Sequence, residues 1–185
     1  MSFKIENIFK KYKKNYVLKR FNYEFNNGLY LFIGINGSGK STTLKIISKL
    51  INPTNNNYKI SNGKVAYLCE KFELGNQKVL KFLKSVKQFN KSNLKIKEEV
   101  KKWNIPNKYI ANLSKGNKQK CGILMMMLAN ADIYLFDEPT DALDQKSIGL
   151  FTTFIHDLVD KNKTVLIATH EKEYFKDFNY TEVKF

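Results

Sequence analysis

At 185 residues, 43% apolar and 14% aromatic, the chain is long enough to bury a core and too apolar to be disordered. Its formal net charge of +15 is carried almost wholly by lysine, with Arg20 the one arginine, which argues against a nucleic-acid reader, since such proteins mix in arginine for its bidentate fork. Cys69 and Cys121 lie in no CxxC or histidine cluster and read as free thiols of a reducing cytosol, while no apolar run reaches the roughly 18 residues of a membrane-spanning helix.

Two candidate strands open the chain. One covers residues 3–9, and a second carries Phe21, Tyr23 and Phe25 on alternate positions. Asn26-Asn27-Gly28 turns into a third strand, the uniformly apolar residues 29–33. After a glycine-rich loop, Leu44, Ile47 and Ile51 share one helical face. Residues 52–57 form an asparagine-rich loop, and residues 65–68 a short buried strand. From Gln77 to Asn130 the pattern turns helical, broken at residues 105–107; this segment predicts a small lobe of about residues 71–130. Strand residues 133–136 end at Asp137, the stripe Ile148, Phe151, Ile155 and Leu158 predicts a helix, and residues 165–168 form a last buried strand. Apolar strands alternating with helices predict an α/β fold with a mostly parallel sheet covered on both faces.

The glycine-rich loop reads GINGSGKST and fits G-x-x-x-x-G-K-[ST]. Gly34, Gly37 and Gly39 let the backbone of Ile35, Asn36 and Ser38 curl so that its N–H groups point at phosphate oxygens. Lys40 supplies charge for the β- and γ-phosphates, Ser41 offers an oxygen to Mg²⁺, and Thr42 continues into a helix whose N-terminus faces the anion. A bound nucleoside triphosphate follows.

Asp137 and Glu138 follow a buried strand directly. The first carboxylate suits Mg²⁺ held through water, and the second suits orienting or deprotonating an attacking water. His170 ends the last apolar strand, as a γ-phosphate donor or as a surface residue at a loop start.

Together these motifs resemble the ATP-binding-cassette (ABC) family over essentially the whole chain. The family's Walker A is GINGSGKST here, its Walker B is IYLFDEP, and its signature is LSKGNKQ from Leu113 to Gln119. Its D-loop matches Thr140 to Asp144, its switch histidine His170, and its adenine-stacking aromatic Tyr12. Two positions depart from the family pattern: Lys115 stands where glycine is usual, and Glu70 where a metal-facing glutamine is usual.

The resemblance implies a P-loop NTPase fold in one ABC-type domain over residues 1–185, with an N-terminal antiparallel β portion. It also implies that two cassettes pair head to tail around two MgATP molecules. Leu113, Ser114, Lys115 and Gly116 would then face the partner's nucleotide, with Asp144 in the D-loop beside them. The metal would lie near Ser41, Asp137 and Glu70, and catalysis would fall to Glu138 and His170. The implied activity is ATP hydrolysis driving a separate membrane-spanning subunit, of exporter type, from the cytoplasmic face of the cell membrane. The alternatives are a soluble cassette acting on nucleic acid or ribosomes, and a catalytically impaired regulatory cassette. Between residues 71 and 120, fourteen lysines stand against Glu73, Glu98 and Glu99; this reads as a solvated face or as a surface near anionic lipid. Met125 to Leu128 and Trp103 read as packing residues, and His156 as a surface or boundary residue.

Overall fold

In a computed structural model, which describes residues 2–185, a five-stranded parallel sheet runs through the middle of the protein. Its strands are β3 (Gly28–Ile33), β5 (Val65–Leu68), β6 (Ile133–Asp137), β7 (Thr164–Ala168) and β8 (Tyr180–Lys184), in the order β5-β6-β7-β3-β8. All four pairings are parallel. The inner strands β6 and β7 are buried at every residue, as strands covered on both faces must be. A second, antiparallel sheet joins β1 (Phe3–Tyr12), β2 (Asn15–Phe25) and β4 (Lys59–Ile60) in the order β2-β1-β4.

Two apolar clusters fill the layers on either side of the parallel sheet. On one side Phe3, Ile5, Phe25, Leu44 and Ile47 pack beneath Phe32, Leu135 and Leu166, joining the antiparallel sheet to α1 (Lys40–Ile47). On the other, Leu31, Phe136 and Ile167 meet α4 (Lys115–Leu128) and α5 (Gln145–Asp160). The same cluster continues through Val79 and Leu83 of α2 (Val79–Phe89), Val100 of α3 (Ile96–Lys102) and the buried Trp103. The inserted helices and the sheet therefore share one continuous core, with α4 lying against both.

The described residues carry two strands that the sequence reading did not anticipate, β4 and β8. β8 reads YTEVK, with Val183 its one buried residue; an edge strand bearing charges gives no apolar run to find. The first helix is also shorter than its stripe suggests. It ends at Ile47, Lys49 turns to φ 60°, and Ile51 packs against the core from the following bend. Met126 and Leu128 are buried on α4, and His156 is exposed on α5 with its ring stacked 3.8 Å from that of Phe178.

Candidate functional site

The loop between β3 and α1 is closed by its own glycines. Gly39 caps α1 at φ 115°, a left-handed conformation, and a Cβ there would lie 3.0 Å from Leu18 and 3.1 Å from Val17. Glycine is thus required both by backbone geometry and by the close approach of β2. Lys40 Nζ donates to the carbonyls of Gly34 at 2.7 Å and Ile35 at 3.3 Å, drawing the loop around its own ammonium group. Ser38 Oγ is buried with no hydrogen-bond partner.

This loop forms one wall of a cleft of about 670 Å³. Asn36, Gly37, Ser38, Gly39, Lys40, Ser41 and Thr42 line it from below, and Tyr12 with Val17 from the antiparallel sheet. Glu70, Glu138 and His170 complete it, together with Asp141 and Glu171. Tyr12 is 47% exposed at the end of β1, with Lys10 Nζ 5.4 Å from the centre of its ring. Of the six chain segments that face this volume, four follow the ends of β3, β5, β6 and β7, which the parallel sheet delivers to one edge, and two come from the antiparallel sheet.

Asp137 lies behind the cleft, only 2% exposed. Ser41 Oγ donates to its Oδ1 at 2.8 Å and the Tyr67 hydroxyl to its Oδ2 at 3.1 Å. Burial pushes its carboxyl above the usual range, and these two hydrogen bonds pull it back. The Tyr67 phenol is pushed far up by burial, with the Asp137 charge second, so it remains a donor.

Glu138 leaves β6 at φ 48°, a strained conformation for a glutamate, held by its N–H donating to Ala168 O at 2.9 Å. Burial raises its carboxyl above the ordinary value, while the His170 ring opposes the shift. His170 Nε2 lies 3.3 Å from Glu138 Oε1 and 2.8 Å from Asn36 Oδ1. A strained, part-buried carboxylate aimed into a phosphate cleft is suited to proton abstraction. Next in sequence, Glu171 Oε2 accepts from Thr140 Oγ1 at 2.6 Å, tying the exits of β6 and β7 together.

Gly34, Ile35, Leu113, Ser114, Lys115, Gly116 and Asp144 are not among the walls of the cleft. Ser114 caps α4, its Oγ accepting from Asn117 N at 3.3 Å. Gly116 sits against the backbone carbonyl of Ala142, where a Cβ would collide. Gln119 Nε2 donates to Pro139 O at 3.0 Å, Lys115 Nζ meets Asp141 Oδ2 at 2.5 Å, and Lys120 Nζ meets Asp144 Oδ2 at 2.6 Å. The start of α4 is thereby fastened to residues 139–144. Asp144 also caps α5, accepting from Ser147 N at 2.8 Å.

Three residues of this neighbourhood escaped the sequence reading, Val17, Tyr67 and Glu171, while Asp141 enters it only within the D-loop match. A hydroxyl inside the otherwise apolar run VAYL was the available signal for Tyr67, and the acid directly after His170 for Glu171.

A family profile for "ABC transporter" matches residues 18–141. An uncharacterised ABC transporter ATP-binding protein of Methanocaldococcus jannaschii is 33% identical over 180 residues, covering 92% of this chain and 68% of that protein. A second, from Bacillus subtilis, is 30% identical over 188 residues, covering 90% and 84%. Among solved structures, a dimeric bacterial ABC transporter cassette aligns with TM-score 0.82 and 25% identity over 98% of this chain and 94% of its own. The same cassette, in a post-hydrolysis state bound to ADP and Pi, aligns with TM-score 0.77 and 25% identity over 98% and 96%. The chain belongs to the ABC transporter ATP-binding family and is an ATPase.

Proposed function

We propose that this chain closes head to tail on a second cassette around two MgATP molecules and drives a separate membrane-spanning subunit, in the export direction. The convergence of Lys40, Ser41, Glu138 and His170 on one cleft, with Asp137 held behind it by Ser41, carries this reading. The donor set fits Mg²⁺: a hydroxyl and one carboxylate 2.8 Å apart, beside a loop shaped for phosphates. No group of three or more metal-binding side chains occurs among the described residues. Magnesium does not require one, since substrate phosphates and water complete its shell. Bound there, the ion would neutralise charge developing on the phosphates.

Within that reading each residue has one task. Lys40 and the loop N–H groups grip the β- and γ-phosphates; Tyr12 stacks on the base. Ser41 and Asp137 hold the metal, with Glu70 reaching it from the loop after β5. Glu138 takes a proton from the attacking water, and His170 donates toward the γ-phosphate while steadying Glu138. Leu113, Ser114, Lys115 and Gly116 present the start of α4 to the partner's γ-phosphate, where free N–H groups and the helix dipole favour an anion. Asp144 positions that surface through Lys120.

The inserted helices supply the face for the membrane subunit. Lys81 and Lys84 are exposed on α2 without a carboxylate partner, and Phe89 at its end is 87% exposed. Glu70 and the LSKGNKQ signature support export. No described helix is long and apolar enough to cross a membrane, so the spanning segments in this proposal belong to another chain, and this one sits peripherally on the cytoplasmic face.

The test is Glu138→Gln. It should cut turnover by at least about a hundredfold and accumulate an ATP-bound dimer on size exclusion, because binding survives without the base. Undiminished hydrolysis sinks the assignment of the base. ATPase activity stimulated by RNA and lost with rising salt would move the protein to a soluble role on nucleic acid.

A further inference from the structure

Asp137 is gripped by two hydroxyls, and only one of them belongs to the phosphate loop. Ser41 Oγ holds Oδ1 at 2.8 Å; Tyr67, from the opposite neighbouring element, holds Oδ2 at 3.1 Å. Tyr67 stands on β5 directly beside Leu135 of β6, two residues short of Asp137, and its ring packs against the core on the α1 side of the sheet. The ring is therefore fixed by packing before its hydroxyl does anything.

A carboxylate rotates about a broad, roughly two-fold torsion. One hydrogen bond leaves it hinged, whereas one on each oxygen sets its plane. With Asp137 only 2% exposed, solvent offers little to replace a lost donor. Resting on the reading of Ser41 and Asp137 as the metal's holders, we infer that Tyr67 is a positioning residue for the metal site, fixing the plane of the Asp137 carboxylate through its hydroxyl. It touches neither nucleotide nor metal, and acts through Asp137 alone. Strand β5 thus contributes to the metal site through Tyr67, three residues before Glu70 enters the cleft from the same strand's exit loop.

Tyr67→Phe deletes the hydroxyl and keeps the ring. The readout is Mn²⁺ binding, followed by electron paramagnetic resonance, to the full chain loaded with a non-hydrolysable ATP analogue. Loss of a hydrogen bond that orients a ligating carboxylate weakens metal binding by about 10- to 100-fold, and that range is expected here. Affinity for the same analogue in EDTA and the melting temperature should stay at wild-type values. Equal Mn²⁺ affinity in Tyr67→Phe and wild type overturns the inference. So does a parallel loss of melting temperature and of EDTA-state nucleotide affinity, which would mark Tyr67 as packing alone. Asp137→Asn separates the two levels. If it weakens Mn²⁺ binding while Tyr67→Phe does not, the metal reading stands and only the tyrosine's role falls. If Asp137→Asn also binds Mn²⁺ normally, both fall.

Discussion

Glu138 Oε1 and His170 Nε2 stand 3.3 Å apart across the exits of β6 and β7, and the same ring nitrogen lies 2.8 Å from Asn36 in the phosphate loop. One imidazole therefore touches both the carboxylate proposed to activate water and the glycine-rich loop proposed to hold phosphate. Its position is set by two backbone features: the pairing of β6 with β7, and the Glu138 N–H bond to Ala168.

His170→Ala should lower turnover by about 10²-fold or more, the usual scale for a lost proton-transfer or orienting group. Nucleotide binding should persist, because Lys40 and the loop N–H groups are untouched. Steady-state ATPase assays beside equilibrium nucleotide binding separate the two. Normal turnover would leave His170 as a loop residue without a catalytic part.

The pH profile follows from Glu138. Its carboxyl sits above the ordinary 4.5 because burial disfavours the charge. As a base it must be ionised, so kcat/KM for MgATP, which reports the free protein, should fall on the acid side with a midpoint above 4.5. For stability the sign is opposite: a carboxyl raised in the folded state destabilises the fold once ionised. Glu138→Gln should therefore melt higher than wild type at neutral pH, with the gain shrinking as pH falls below that midpoint. A lower melting temperature for the variant at neutral pH would contradict the burial argument.

Asp144 behaves the other way. Hydrogen bonds from Lys120 and from the start of α5 hold its carboxyl down at about 2, against an ordinary 3.8. Its contribution is present above the ordinary value and lost as pH falls through the folded one. Asp144→Ala removes a helix cap worth about 1 kcal/mol, a drop of roughly 2–4 °C at this size. The gap between variant and wild type should be constant from neutral pH down to the ordinary value and close below it. Differential scanning calorimetry across that range checks the prediction.

Gly116→Ala should push the first turn of α4 away from Ala142. Overpacking of this kind costs about 1–3 kcal/mol, so the melting temperature should fall by several degrees. ATP-dependent dimerisation in a Glu138→Gln background should fall with it, while nucleotide binding by the monomer is unchanged. Full dimerisation would show that this contact does not set the surface offered to the partner.

Much of this protein is legible along the chain because its chemistry is local. The phosphate loop binds through consecutive backbone groups, so GINGSGKST displays it whole, and the apolar runs ahead of Gly34, Asp137 and His170 identify buried parallel strands by composition. Strand β8 stayed hidden because an edge strand needs one buried face only, and the third turn expected of α1 failed because Lys49 leaves the helix in the left-handed region.

What the tertiary structure alone decided is which side chains meet. Tyr67 reaches Asp137 across 70 residues of sequence, Ser41 across 96, and Thr140 reaches Glu171 across 31. Periodicity reports which face of an element is buried, but a hydrogen bond between two elements depends on strand order and register. Those are fixed only when the whole sheet assembles.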